Sequence, residues 1–260
     1  MEKVQELIQS YQKEENASVI NQIQELLQTE EGMFAIVARV TNNFYMGTAN
    51  GKPAAFIYTC REYADVFVKE MNSVGVETKS LDIRPEQRIG FFNDLYRSGF
   101  EAVVINKDHE SLSMSLFSII AKPEQTGDMV VNPDLMCAAI RFYQGLASQH
   151  LIKEMQDLVC AELFQARFLY PQTDPRYSTP ALLTDNKGRK FCPVFTDPVE
   201  FGKFDKKHRY HGSVVKFRDL KKLMEGADGI VVNPFGFGLR LNQEKLERIE
   251  RENQKLKVVK

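Results

Sequence analysis

Phe100-Glu101-Ala102-Val103-Val104-Ile105-Asn106 and Asp228-Gly229-Ile230-Val231-Val232-Asn233 share one design: an acid, a short apolar run and a terminating asparagine. Short apolar runs bounded by turn-forming residues fit strands buried on both faces. The two stretches align without gaps at a separation of 127 residues, and the same offset pairs Leu112 with Leu239 and Met114 with Leu241. Upstream, Ala54-Ala55-Phe56-Ile57-Tyr58-Thr59 matches Phe191-Cys192-Pro193-Val194-Phe195-Thr196 at a separation of 137, each run ending in an aromatic residue and threonine. The change of offset falls between the blocks, where the first copy has the longer stretch from Asn72 to Arg88. Insertions of that kind belong in loops. The repeat predicts two divergent copies of one unit.

Both copies open with helical periodicity. Val19, Ile20, Ile23, Leu26 and Leu27 fall on one face, as do Leu151, Ile152, Met155, Leu158 and Val159, spaced for a stripe packed on a core. Another helix precedes each, through Val4, Leu7, Ile8 and Tyr11 in the first copy and Leu135, Met136, Ala139, Ile140 and Tyr143 in the second. Asn132 and Pro133 suit the start of that second one. The boundary is expected near Pro123 to Asn132, giving domains 1–123 and 132–260. Each copy then reads as a strand (Met33 to Val40; Leu163 to Tyr170), a hairpin turning at Asn50-Gly51 or Asp185 to Gly188, the aromatic-Thr strand, and a helix (Arg61 to Met71; Pro198 to Lys207). A strand (Thr78 to Ile83; Val214 to Phe217), a helix (Gln87 to Arg97; Arg218 to Glu225), the Asn-terminated strand and a last helix follow. That order predicts an α/β (α+β) fold: in each copy a mixed sheet with an opening β-hairpin and packed helices.

The 260 residues are 43% hydrophobic and 27% charged, a balance that supports a buried core and excludes global disorder. Met1-Glu2-Lys3 leads into a polar helix, unlike a secretory signal. Apolar blocks such as Met33 to Ala38 are too short to span a bilayer. Cys60, Cys137, Cys160 and Cys192 form no C-x-x-C pair and read as reduced thiols. These features predict a cytoplasmic protein with no membrane partner. A net charge of −1 argues against nucleic acid as a partner, because phosphate binding draws on surplus Lys and Arg. Locally the charge is uneven. Residues 1–31 hold seven glutamates against Lys3 and Lys13, a net −5, whereas residues 198–222 carry a net +5 through Lys203, Lys206, Lys207, Arg209, Lys216, Arg218, Lys221 and Lys222 against Glu200, Asp205 and Asp219.

An apolar strand ending in Tyr58-Thr59 or Phe195-Thr196, a helix beginning Glu62-Tyr63 or Glu200-Phe201, and an apolar strand into Asn233-Pro234 followed by Leu239-Arg240-Leu241 together resemble the SseB (serine-sensitivity-enhancing) family, in its N-terminal domain. The second copy fits this pattern better, since the first has Asn106-Lys107-Asp108 and lacks the proline. The resemblance implies a bacterial cytoplasmic protein of poorly defined role, and no catalytic residue is carried over with it.

Thr59 with Glu62, and Asp197 with Glu200, have capping-box spacing. The functional counterpart of capping is an anion at the helix N-terminus. Asn106 and Asn233 end strands where asparagine tolerates left-handed backbone and makes turns. Since ligands of open α/β sheets gather beyond the carboxyl ends of strands, Thr59, Asn106, Thr196 and Asn233 are the candidate ligand-binding residues, for an amino-acid-like or anionic small molecule. Gly236-Phe237-Gly238 lacks the spacing of a phosphate loop and reads as a turn. His208 and His211 lack a third ligand at zinc spacing, so neither a metal nor another cofactor is expected. Cys60 beside a helix start has two readings, a thiol of lowered pKa or an inert half-buried one. No hydrolase, zincin, P-loop or kinase signature occurs.

The basic residues Lys203, Lys206, Lys207, Arg209, Lys216 and Arg218 form either a solvated face or a docking patch, which an acidic surface of the same or another chain would meet in a salt-sensitive way. The reading that follows is a non-enzymatic protein-interaction or regulatory module, with a protein partner or self-association. The alternative is a small-molecule sensor or enzyme using the strand-end crevice. Gln243 to Lys260 reads as a charged helix whose Leu246 and Ile249 make too thin a stripe for a coiled coil.

Overall fold

The computed structural model describes residues 1–124, 129–172 and 181–258. The chain divides into two compact units, Met1–Gln125 with Tyr143–His150, and Thr126–Phe142 with Leu151–Lys260. The middle of the expected boundary, 125–128, lies outside the described residues.

The first unit opens with α1 (Glu2–Lys13) and α2 (Ala17–Thr29), capped by the Asn16 side chain accepting from Ser18 N at 2.8 Å. Its sheet comprises β1 (Phe34–Ala38), β2 (Asn43–Phe44), β3 (Met46–Ala49), β4 (Lys52–Tyr58), β5 (Thr78–Asp82), β6 (Ala102–Ile105) and β7 (Leu112–Ser115). Helices α3 (Arg61–Ser73) and α4 (Arg88–Arg97) flank β5 in sequence. Strand β1 pairs antiparallel with both β4 and β5, β4 pairs parallel with β6, and β6 pairs antiparallel with β7. The β3–β4 hairpin turns on Asn50 and Gly51 at φ 51° and 76°, the left-handed pair that an Asn-Gly turn supplies without strain. On one sheet face Phe34, Ile36, Phe56 and Tyr58 meet Ala64 and Phe67, each large apolar side chain contributing about 1.5–3 kcal/mol by leaving water.

Arg88 is fully buried. Its Nε donates to Ile83 O at 2.6 Å, Nη1 to Leu27 O at 2.7 Å and Nη2 to Glu30 O at 2.7 Å. A cation at the carbonyl end of α2 suits the helix dipole. Burial brings its pKa down to about 10, against the opposing effect of Asp82, so it stays charged at neutral pH.

Helix α5 (Pro133–Ala147) precedes α6 (Lys153–Gln165), β8 (Arg167–Gln172), β9 (Leu183–Thr184), β10 (Lys190–Val194), α7 (Pro198–Phe204), β11 (His211–Lys216), β12 (Gly229–Val232), β13 (Leu239–Leu241) and α8 (Gln243–Val258). Strand β8 pairs antiparallel with β11, and touches β10 through the antiparallel bridge Leu169–Phe195. Strand β10 pairs parallel with β12 and antiparallel with β9, and β12 pairs antiparallel with β13. The first unit is thus one seven-stranded mixed sheet with helices, whereas in the second a four-stranded mixed sheet meets the two-stranded β8–β11 sheet through a single bridge, the shared pairings running in the same order. The registers also correspond: Ile57 faces Ile105 as Val194 faces Val232, and Ile105 faces Leu112 as Val232 faces Leu239.

Four local expectations need correction. Leu163 is not in a strand: it is buried in α6, three and four residues after Cys160 and Val159, so the helical stripe runs on and β8 starts only at Arg167. Leu151, Ile152 and Leu158 are exposed, because α6 begins at Lys153 and turns Val159, Cys160 and Leu163 inward instead. The helix expected at Arg218 to Glu225 is a 3-10 helix, Phe217–Met224. In the first unit the segment after Asn106 forms β7 and a single 3-10 turn, Leu116–Ser118, in place of a last helix. In the second unit α8 does form, and Leu246 and Ile249 are buried.

Candidate functional site

The strand-end residues meet in pairs. Thr59 N donates to Asn106 Oδ1 at 2.9 Å, and Asn106 Nδ2 donates to Thr59 Oγ1 at 2.9 Å. In the second unit Thr196 N donates to Asn233 Oδ1 at 3.0 Å and Asn233 Nδ2 to Thr196 Oγ1 at 2.8 Å. The asparagine backbones sit at φ 52° and 48°, with each N–H donating across the parallel pair, to Ile57 O at 2.8 Å and Val194 O at 2.9 Å. Each parallel pair thus ends in an amide lock in which asparagine completes the ladder where the backbone turns away. All four residues are buried. A ligand reaching their polar atoms would have to displace bonds they already make to one another.

The helix starts differ. Asp197 caps α7, its Oδ1 accepting from Val199 N at 2.9 Å and Glu200 N at 3.0 Å, while Thr196 Oγ1 donates to its Oδ2 at 2.7 Å. In the first unit Thr59 is not the cap. The hydroxyl is taken up by Asn106, the helix starts one residue later, and the N-cap position falls to Cys60, which makes no side-chain cap bond. Burial pushes the Cys60 thiol up, the opposite of the shift an activated cysteine needs. Burial likewise pushes Cys192 up to about 12, against a Tyr170 hydrogen bond that lowers it. His208 and His211 gain no further ligand, for no three His, Cys, Asp or Glu side chains converge on a metal position among the described residues. Close by the first lock, the rings of Tyr63 and His109 stack at 3.6 Å, a contact between loop and helix that the sequence did not announce.

The six basic candidates fall along α7, the turn after it, the end of β11 and the start of the 3-10 helix that follows. Lys203 is paired with Glu200, Nζ to Oε1 at 2.6 Å. Lys206, Lys207, Arg209, Lys216 and Arg218 are exposed and form no ion pair among the described residues. Lys216 and Arg218 line two hollows, of about 890 and 530 Å3, that share Arg167 as well; Gln165, Glu250 and Asn253 border the larger.

Comparison with known proteins places this surface. The family model described as SseB protein N-terminal domain matches residues 146–248. Those residues belong to the SseB N-terminal domain family. The match runs from the end of α5 into α8 and so takes in the second lock, the cap and the basic surface of this SseB domain. Two solved structures are similar at a low level: Tic22 from Plasmodium falciparum, at 12% identity and a TM-score of 0.21 over 92% of this chain and 98% of that one, and Anabaena Tic22 (protein transport), at 12% and 0.21 over 89% and 96%. Likeness at that TM-score carries no weight for fold or function. No curated protein matches the sequence. No helix among the described residues is long and apolar enough to cross a membrane.

Proposed function

We propose that this chain is a non-enzymatic interaction or regulatory module, built from two divergent copies of one SseB-like unit (1–123 and 132–260) and acting in the cytosol through the basic surface of its second copy. The observation that carries this reading is the group of five exposed cations, Lys206, Lys207, Arg209, Lys216 and Arg218, with no ion pair among the described residues. An acidic protein surface is drawn to unpaired cations of this kind and steered in its approach by their field. The matching registers of the two units support the duplication. The buried, mutually bonded Thr59–Asn106 and Thr196–Asn233 pairs favour a structural role over a small-molecule site at those positions.

The test is quantitative cross-linking of the full chain in its host, comparing wild type with a Lys206→Glu, Lys207→Glu, Lys216→Glu variant of unchanged melting temperature. A stoichiometric partner recovered by wild type and lost with the variant and at high salt is the expected result. Equal recovery by both would overturn the basic-surface reading. An amino acid or nucleotide that raised the melting temperature would move the function to a ligand site, since a ligand bound only to the folded state stabilises it.

A further inference from the structure

Strand β11 is an edge. It pairs along one side with β8, from His211–Gln172 to Lys216–Arg167, and no backbone group of His211–Lys216 bonds to anything else among the described residues. The orientation of those groups follows from its neighbour. Leu169 spends both backbone groups on Phe195, donating to Phe195 O at 2.8 Å and accepting from Phe195 N at 2.9 Å. They therefore point away from β11, and Leu169–Val214 is a non-hydrogen-bonded pair of the antiparallel ladder. The N–H and C=O of Val214 face outward, as do those of Gly212 and Lys216, two residues to either side. Tyr210 N, at the preceding alternate position, is already taken by Asp205 Oδ2 at 2.9 Å.

An exposed strand edge is a template for another strand unless something blunts it. Proline, a bulge or a covering helix would do so. Strand β11 contains no proline, its pairing with β8 is uninterrupted, and no hydrogen bond links α7 to it among the described residues. His211, Gly212, Val214 and Lys216 are exposed, Val214 by 46%. Cations stand at both ends, Lys206, Lys207 and Arg209 before the strand and Lys216 and Arg218 at its close, where they line the two hollows. Two copies of β11 pairing edge to edge in antiparallel fashion would bring the Lys206 to Arg209 end of one strand towards the Lys216 and Arg218 end of the other, cationic groups towards cationic groups, which is unfavourable.

We infer that β11 accepts an extended acidic segment of a protein partner as an added strand, its backbone bonding to Gly212, Val214 and Lys216 and its carboxylates facing the flanking cations. This rests on the interaction-module reading and specifies how the partner is held.

A fluorescein-labelled peptide of alternating Glu and Val, long enough to span β11, tests it by anisotropy against the full chain, with the Lys-for-Glu peptide as control. The Glu peptide alone should bind. Val214→Pro removes an outward N–H without touching the β8 ladder and should weaken binding about tenfold or more. In wild type the amides of Gly212, Val214 and Lys216 should gain protection from hydrogen exchange when peptide is added, a readout that decides the matter even if the proline variant does not fold. Binding unaffected by Val214→Pro, with no added protection at those amides, would remove the added strand and leave the charged-surface reading standing. No binding by wild type, or concentration-dependent dimerisation of the chain with those amides protected in the absence of peptide, would also overturn it.

Discussion

In the first unit α3 runs for 13 residues and reaches β5, where Asn72 Oδ1 accepts from Thr78 N at 2.6 Å and Asp65 Oδ1 accepts from Ser80 Oγ at 2.9 Å. In the second unit the helix at the same place, α7, stops after 7 residues, and Asp205 beyond its end satisfies only the backbone just before β11. The strands beneath are paired alike, and the two amide locks agree to within about a tenth of an ångström in their asparagine-to-threonine bonds. The strand pairings and the strand-end chemistry are thus common to both units, while the helix of the first unit reaches its outer strand and takes one backbone N–H there, that of Thr78, and the shorter helix of the second unit makes no such bond among the described residues.

The sharpest break in the comparison is Arg88, since no arginine of the second unit is buried among the described residues. Arg88→Met should cost about 3–5 kcal/mol in urea unfolding monitored within the first unit, because three carbonyls, two of them in buried bonds, lose a charged donor at once. A loss under about 1 kcal/mol would show that water replaces the guanidinium. The second unit's amide protection should be left as it was.

The locks should answer equally. Asn106→Ala and Asn233→Ala are each expected to cost about 2–4 kcal/mol, combining a buried Thr N–H left without an acceptor and alanine forced to positive φ. The corresponding Gly variants should be milder by about 1 kcal/mol, as they relieve only the backbone term. If one Asn→Ala change proved harmless and the other did not, the equivalence of the two strand ends would fail.

The smallest effect transplants a difference. Cys60 occupies its N-cap position with extended backbone, φ −144° and ψ 156°, close to the −167° and 167° of Asp197, but offers α3 no side-chain cap. Cys60→Asp should stabilise the first unit by about 0.5–1 kcal/mol, read as a rise in melting temperature. A fall would mean that the nearby Glu62 repels the new carboxylate more than the helix attracts it.

The repeat of Phe100–Asn106 in Asp228–Asn233 and of Ala54–Thr59 in Phe191–Thr196 was legible from the residues, because a strand buried on both faces has to be a short apolar run and its end has to turn. From those blocks the mixed α/β class and the order of the strands follow, and Asn50-Gly51 announces its own turn. Tertiary contacts decided the rest. Whether the Thr59 hydroxyl oxygen accepts from a helix N–H or from Asn106 Nδ2 depends on which donor lies near it, and Asn106 is 47 positions away. The fate of Leu163, helix or strand, was settled by the core that Val159 and Cys160 face, since an isolated apolar run carries both periodicities. Which backbone groups of β11 point outward was fixed by Leu169 having spent its own on Phe195, and the alternation of side chains along one strand holds no record of what its neighbour bonds.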